Sequence, residues 1–277
     1  MDVLRAVVLG IVQGLTEFLP VSSTAHLRIV PEFLGWGDPG AAYTAVIQIG
    51  TMLAVLVYFF GDLRRIATTW VRSLVTPRLR RELDARLGWY IGIGTIPIGV
   101  AGLAFEDSIE TSLRSLYVIG AALIGLGLLL LLAERTGTRR RQVEDVTLRD
   151  AVVVGAAQAL ALIPGSSRSG TTITAGLFLG LDRAAAARFS FLLSIPAVVL
   201  SGLYQLPAAV GESTAGVVPT LVGIVVSFVS GYAAIAGLLR FLANNSTMVF
   251  VVYRVVLGLL VIGLVAGGVL EANAGAA

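Results

Sequence analysis

The chain has no cysteine, no lysine and a single histidine, His26. Without cysteine there are no disulfides, no thiolate nucleophile and no cysteine metal site. Without lysine there is no phosphate-loop lysine and no Schiff base. One imidazole excludes multi-histidine metal centres and any mechanism that needs two. Charge is scarce as well: 13% of the 277 residues are charged, against about 25% in soluble domains. Hydrophobic residues make up 56%, and mean hydropathy is +0.89. A soluble enzyme and a disordered chain are both excluded.

What remains is a polytopic membrane protein. Its 32 glycines suit helices that approach closely in lipid. The net charge of +3 is carried by arginine alone. These arginines lie between apolar runs, so they read as topology signals rather than nucleic-acid contacts.

Crossing the hydrocarbon core takes about 20 apolar residues. Six segments qualify: 44–60, 88–105, 116–133, 187–206, 217–239 and 249–270. Two other apolar stretches do not. Residues 3–19 contain Gln13, Thr16 and Glu17 and break at Pro20, and residues 151–163 are short and break at Pro164. Each is followed by a hydroxyl-rich turn and a weak second helix, 26–34 and 172–181. That pattern predicts re-entrant hairpins, whose broken backbone is tolerated only where it faces protein or water. A cleaved signal peptide is the other reading of the first stretch, and Asp2, Gln13 and Glu17 oppose it.

The two breaks resemble each other. Phe18-Leu19-Pro20-Val21-Ser22-Ser23 parallels Leu162-Ile163-Pro164-Gly165-Ser166-Ser167, with Gln13 and Gln158 ahead of the prolines but offset by one position. The expected fold is therefore an all-α, single integral membrane domain over 1–277. It has six transmembrane helices and two re-entrant hairpins in an inverted-topology repeat of halves 1–135 and 148–277, with a shared polar site near the midplane. Seven arginines in 60–88 and five in 133–151 place those loops on the cytoplasmic side. Loops 106–114 and 207–216 and both termini then lie outside.

Polar chemistry gathers in the two hairpins. In the first, Gln13 and Glu17 stand four apart and share a helix face. A carboxylate at membrane depth is expensive and reads as functional. The oxygen pair suits Mg²⁺ or Ca²⁺; the other reading is that Glu17 pairs with an arginine to hold the bundle. Ser22 and Ser23 follow the break, where they can cap the next helix; Ser22 and Thr24 are candidate phosphate-binding hydroxyls at its N-terminus, and His26 falls three residues after Ser23. In the second, Ser166, Ser167, Arg168, Ser169, Gly170, Thr171 and Thr172 bring hydroxyls, backbone N–H groups and a guanidinium to a helix start, a set that can cradle phosphate. Arg168 at membrane depth needs an anion, either Glu17, a phosphate or both. Together these residues imply a metal-assisted phosphate or diphosphate site, and a lipid-borne phosphate suits its depth.

With Arg183 and Phe189-Ser190-Phe191-Leu192-Leu193 downstream, the two clusters resemble the undecaprenyl-diphosphate phosphatase family, the bacitracin-resistance proteins, over essentially the whole chain. The family's first motif opens with Glu or Gln, and this chain has Gln13. The resemblance implies removal of the terminal phosphate of the C55 isoprenoid diphosphate at the outer face of the cell membrane. It also implies divalent-metal dependence with Glu17 and Gln13 as ligands, a homodimer and the same six-span, two-hairpin fold. Arg168 would clamp the diphosphate. Ser23 is the candidate nucleophile and His26 the candidate base or acid, with attack by a metal-bound water as the opposing mechanism. A carrier that flips the lipid phosphate is the competing function, since inverted repeats with a midplane site are as typical of carriers.

Overall fold

A computed structural model describes residues 1–37, 39–105, 113, 115–212 and 216–272. Among the described residues there are helices and short turns, and no β-strand beyond one isolated bridge between Arg141 and Leu181. The first half carries α1 (Val3–Phe18), α2 (Ser23–Phe33), α3 (Ala41–Tyr58), α4 (Phe60–Val75), α5 (Leu83–Ala104) and α6 (Leu116–Thr136). The second carries α7 (Leu148–Ala159), α8 (Arg168–Phe178), α9 (Arg183–Glu212), α10 (Val217–Asn244) and α11 (Met248–Ala266). Five helices (α5, α6, α9, α10 and α11) are long and apolar enough to cross a membrane. The pair α3 and α4, bent by 69° where they join, makes a sixth if counted as one span. The chain is a multi-pass membrane protein.

The arginine-rich stretch 60–88 is not the plain loop the sequence implied. It forms α4 and a 3-10 turn over Pro77–Arg81. Its pattern is amphipathic: Ile66 and Ser73 are buried while Arg64, Arg65 and Arg72 are exposed. Trp70 packs edge-on against Trp89 of α5, with ring centroids 5.4 Å apart. Of the two stretches expected on the outer face, 106–114 lies outside the described residues except for Leu113. In 207–216, residues 207–212 continue α9 and 213–215 lie outside the described residues.

The two short helices begin earlier than the sequence predicts, at Ser23 and Arg168 rather than at 26 and 172. Capping explains the difference. Ser22 Oγ accepts from the Ala25 N–H at 3.4 Å and Ser167 Oγ from the Gly170 N–H at 3.1 Å. The hydroxyl-rich residues therefore become the first helical turn. Both caps hold a positive φ, 76° at Ser22 and 68° at Ser167. A non-glycine residue held there costs on the order of 1–3 kcal/mol.

One interval separates Val3 from Leu148, Ser23 from Arg168 and Phe33 from Phe178, the matching helix ends of the two hairpins. In that register Gln13 falls opposite Gln158 with no offset, and Pro20 opposite Gly165 rather than Pro164. Packing follows the same correspondence. Helix α1 lies on α10 and α7 on α5, while α3 meets α9 and α6 meets α11. A Cβ on Gly10 would sit 2.9 Å from the Gly223 carbonyl oxygen, and one on Gly155 2.2 Å from that of Gly94, so both crossings need glycine.

Helix α9 braces the hairpins from behind. Residues 189–193 are all buried, and Phe191 meets Phe18, at the end of α1, edge-on with centroids 5.5 Å apart. Ser190 shares a 2.5 Å hydrogen bond with Thr172 of α8. Arg183 donates from Nε to Glu134 at the end of α6 at 2.9 Å, and the Thr247 hydroxyl donates to the same carboxylate at 2.8 Å.

Candidate active site

The two hairpin turns meet. Glu17, in the last turn of α1, accepts from the Arg168 guanidinium at the start of α8 on one oxygen. Its other oxygen accepts from Ser23 Oγ at 2.6 Å and from Gln13 Nε2 at 3.2 Å. Gln13 is buried and also donates to Thr51 at 3.3 Å. One carboxylate thus joins a hydroxyl, an amide and a guanidinium drawn from both halves of the chain. The sequence anticipated the Glu17–Arg168 pair and the shared face of Gln13 and Glu17. It did not anticipate that Ser23 would turn to Glu17.

His26 does not share the Ser23 hydrogen bond. Its Nδ1 lies 2.6 Å from the Ser22 carbonyl oxygen, which can only accept, so Nδ1 carries the proton. Nε2 of the neutral ring then accepts from the Tyr253 hydroxyl at 2.6 Å. The imidazole is held at both nitrogens, one by the strained cap of its own helix and one by α11.

The expected phosphate-binding hydroxyls divide into two groups. Ser22 Oγ and Thr24 Oγ1 share a 3.0 Å contact, and Thr24 accepts from the Gly165 N–H at 3.4 Å, which links the turns. Ser167 and Ser169 face each other at 3.2 Å, and Ser169 donates across to the Leu19 carbonyl at 3.1 Å. Ser166 Oγ is fully buried with no hydrogen-bond partner among the described residues. Thr171 and Thr172, by contrast, donate back to the Arg168 carbonyl at 3.0 and 2.7 Å, so their hydroxyls brace α8 rather than face the cluster.

The structure adds Arg254, which the sequence reading left inside the apolar run 249–270. It is fully buried and hydrogen-bonds only backbone carbonyls among its described partners. These are Pro20 of the first turn at 3.3 Å, Gly165 and Ser166 of the second at 3.3 and 2.9 Å, and Ala122 and Leu123 of α6 at 3.3 Å each. Gly170 makes room for it, because a Cβ there would lie 2.5 Å from Arg254 Nη1. A charged residue at membrane depth was the signal that would have marked this position.

The divalent cation implied by the resemblance would be held by Glu17 and Gln13, and in this arrangement both are engaged in hydrogen bonds. Both Glu17 oxygens already accept hydrogen bonds, one of them from a guanidinium, and Gln13 turns its amino group to the carboxylate. Among the described residues no group of three or more His, Cys, Asp or Glu is placed to hold a metal. Mg²⁺ is commonly bound through one or two carboxylates, with waters and substrate phosphates completing its shell.

Comparison with known proteins agrees with the residues. A family model described as bacitracin resistance protein BacA matches residues 6–260. The undecaprenyl-diphosphatase of Nocardioides sp. is 54% identical over 272 residues, covering 98% of this chain and 99% of that protein. Those of Thermobifida fusca and Chloroherpeton thalassium are each 52% identical, over 276 and 282 residues. They cover 100% and 98% of this chain, and 94% and 100% of their own lengths.

Proposed function

Because the chain belongs to the bacitracin resistance protein BacA family, we propose that it hydrolyses undecaprenyl diphosphate to undecaprenyl phosphate and inorganic phosphate, with its chemistry in the cluster of Glu17, Ser23 and Arg168. The observation that carries this reading is the shared carboxylate: Glu17 accepts from both Ser23 and Arg168. Arg168 is a charged fork at a helix start, and the terminal phosphate replaces Glu17 as its anion. Glu17, released from the guanidinium, takes the Ser23 proton while Oγ attacks the terminal phosphorus. The bridging P–O bond breaks and undecaprenyl phosphate leaves. Water then attacks the phosphoserine, inorganic phosphate departs, and the proton returns to Ser23. His26, three residues beyond Ser23 on α2, and Tyr253, hydrogen-bonded to it, serve the leaving oxygen.

We read the architecture as the six-span, two-hairpin inverted repeat, on the strength of the matched helix ends, the two left-handed serines and the paired α1–α10 and α5–α7 crossings. With twelve arginines in 60–88 and 133–151, the positive-inside rule puts both termini outside and opens the site to the outer face of the cell membrane. There the product re-enters envelope polymer synthesis as its carrier. Pairing of two copies belongs to the same proposal, with the mass of the detergent-solubilised protein as its measure. Phosphate release by purified protein, from C55 diphosphate in detergent, tests the reaction. Absence of release would end the reading.

A further inference from the structure

Helix α11 turns Val251, Arg254, Gly258, Val261 and Val265 inward. Its opposite stripe, Val249, Val252, Tyr253, Val256 and Leu260, recurs at intervals of three and four and is exposed. With Met248 and Leu257 of the same helix, this stripe lines a shallow, open groove of about 650 Å³ along the flank of α11, whose only polar side-chain group is the Tyr253 phenol. The phenol is the link to the hairpins: its hydroxyl donates to His26 Nε2 at 2.6 Å, and His26 is tied in turn to Ser22, next to Ser23.

We propose that this groove binds the first isoprene units of the lipid diphosphate, with Tyr253 at the joint between chain and diphosphate. The inference rests on the reading of Glu17, Ser23 and Arg168 as the diphosphate site. An amphiphile with its phosphates there must lead its chain away along an apolar path. The α11 stripe is such a path, and it runs unbroken from the tyrosine that touches His26. Tyrosine suits the joint, since it offers an apolar ring body to the chain and a polar tip to the site. Size sets the extent. From Tyr253 to Leu260 the stripe runs about 10 Å along the helix axis, far short of fifty-five carbons, so the groove holds the proximal units and the rest stays in the bilayer. Binding should therefore depend on chain length among short diphosphates and level off for longer ones.

The test uses the full chain in detergent with C5, C15 and C55 diphosphates. Val252→Trp and Val256→Trp fill the groove on either side of Tyr253 without changing a residue of the hairpins. They should raise KM for the C15 diphosphate about tenfold more than KM for the C5 diphosphate. A C15 diphosphate carrying a diazirine near its first isoprene should label residues 248–260, and unlabelled C55 diphosphate should compete. The crosslink stands even if a tryptophan variant misfolds. Labelling confined to other helices, labelling that C55 diphosphate does not compete, or an unchanged KM ratio would overturn the groove. So would tryptophan variants that change the number of chains per micelle without moving KM, because the strip would then be a contact between copies. Wild-type phosphate release from C55 diphosphate separates the two readings. If release is present and the groove tests fail, only the groove is lost; if release is absent, the diphosphatase reading is lost as well.

Discussion

Ser23 donates its hydroxyl to Glu17 at 2.6 Å, and His26, three residues further along the same helix, does not reach that bond. In the proposed reaction the nucleophile and its base are thereby distinct from the group assigned to the leaving oxygen. Ser23→Ala should take phosphate release to background if the phosphoryl group passes through the serine. If Ser23 only orients the phosphate, the loss should be roughly 10²–10³-fold. Rapid quenching of wild-type protein and a search for phosphoserine decide between them. Substantial turnover in the variant without a trapped phosphoenzyme would favour direct attack by water.

Arg168 presents a planar fork to the Glu17 carboxylate, which phosphate would displace in the proposed reaction. Arg168→Lys keeps the charge and loses the fork. The expected loss is about 2–3 kcal/mol of transition-state binding, on the order of 10²-fold in kcat/KM. Near-normal kcat/KM in that variant would show that charge alone suffices.

Arg254 joins both turns through carbonyl oxygens. Arg254→Met leaves these acceptors buried without a donor, at about 1–3 kcal/mol for each group stranded. Arg254→Lys retains part of the set. Thermal unfolding in detergent should rank wild type above Lys and Lys above Met. Gly170→Ala should also lower Tm, by forcing a methyl against the guanidinium.

Cation binding can be measured apart from turnover. Titration of substrate-free protein with Mg²⁺ should show no saturable site, because the Glu17 oxygens are already engaged. A saturable site that disappears in Glu17→Gln would restore the carboxylate and Gln13 as metal ligands.

Topology is open to cysteine labelling in this cysteine-free chain. Gly137 is a poor position, since a Cβ there would lie 2.4 Å from the Leu177 carbonyl oxygen. Val75 and Val217, 85% and 75% exposed, are suitable. Val75→Cys should react only from the cytoplasmic side and Val217→Cys only from the outside. The reverse pattern would invert the molecule and its site.

The hairpins were legible because proline, glycine and runs of hydroxyls interrupt apolar sequence only where the backbone has somewhere to turn. Their register was not. Aligning the prolines displaced the glutamines by one, whereas the capping serines bring Gln13 and Gln158 into line. A cap is defined by a bond its side chain makes, and that bond is not written in the residue type. The same holds for Thr171 and Thr172, whose hydroxyls fold back onto α8. Arg254 and Tyr253 were hidden differently. They lie in a strongly apolar span whose average hydropathy conceals two polar neighbours with separate tasks.

The five carbonyl bonds of Arg254 have a mechanical consequence. Three of them tie the two turns together and two anchor the guanidinium to α6, all without help from the Glu17–Arg168 pair. The carboxylate can therefore swing off the guanidinium while the frame keeps its shape. On the proposed reaction, Glu17 would then act as a tethered exchange ion. It would yield its seat to an incoming phosphate and, once the phosphoryl group is free, compete for that seat again, so that product release would be aided by a group that never leaves the site.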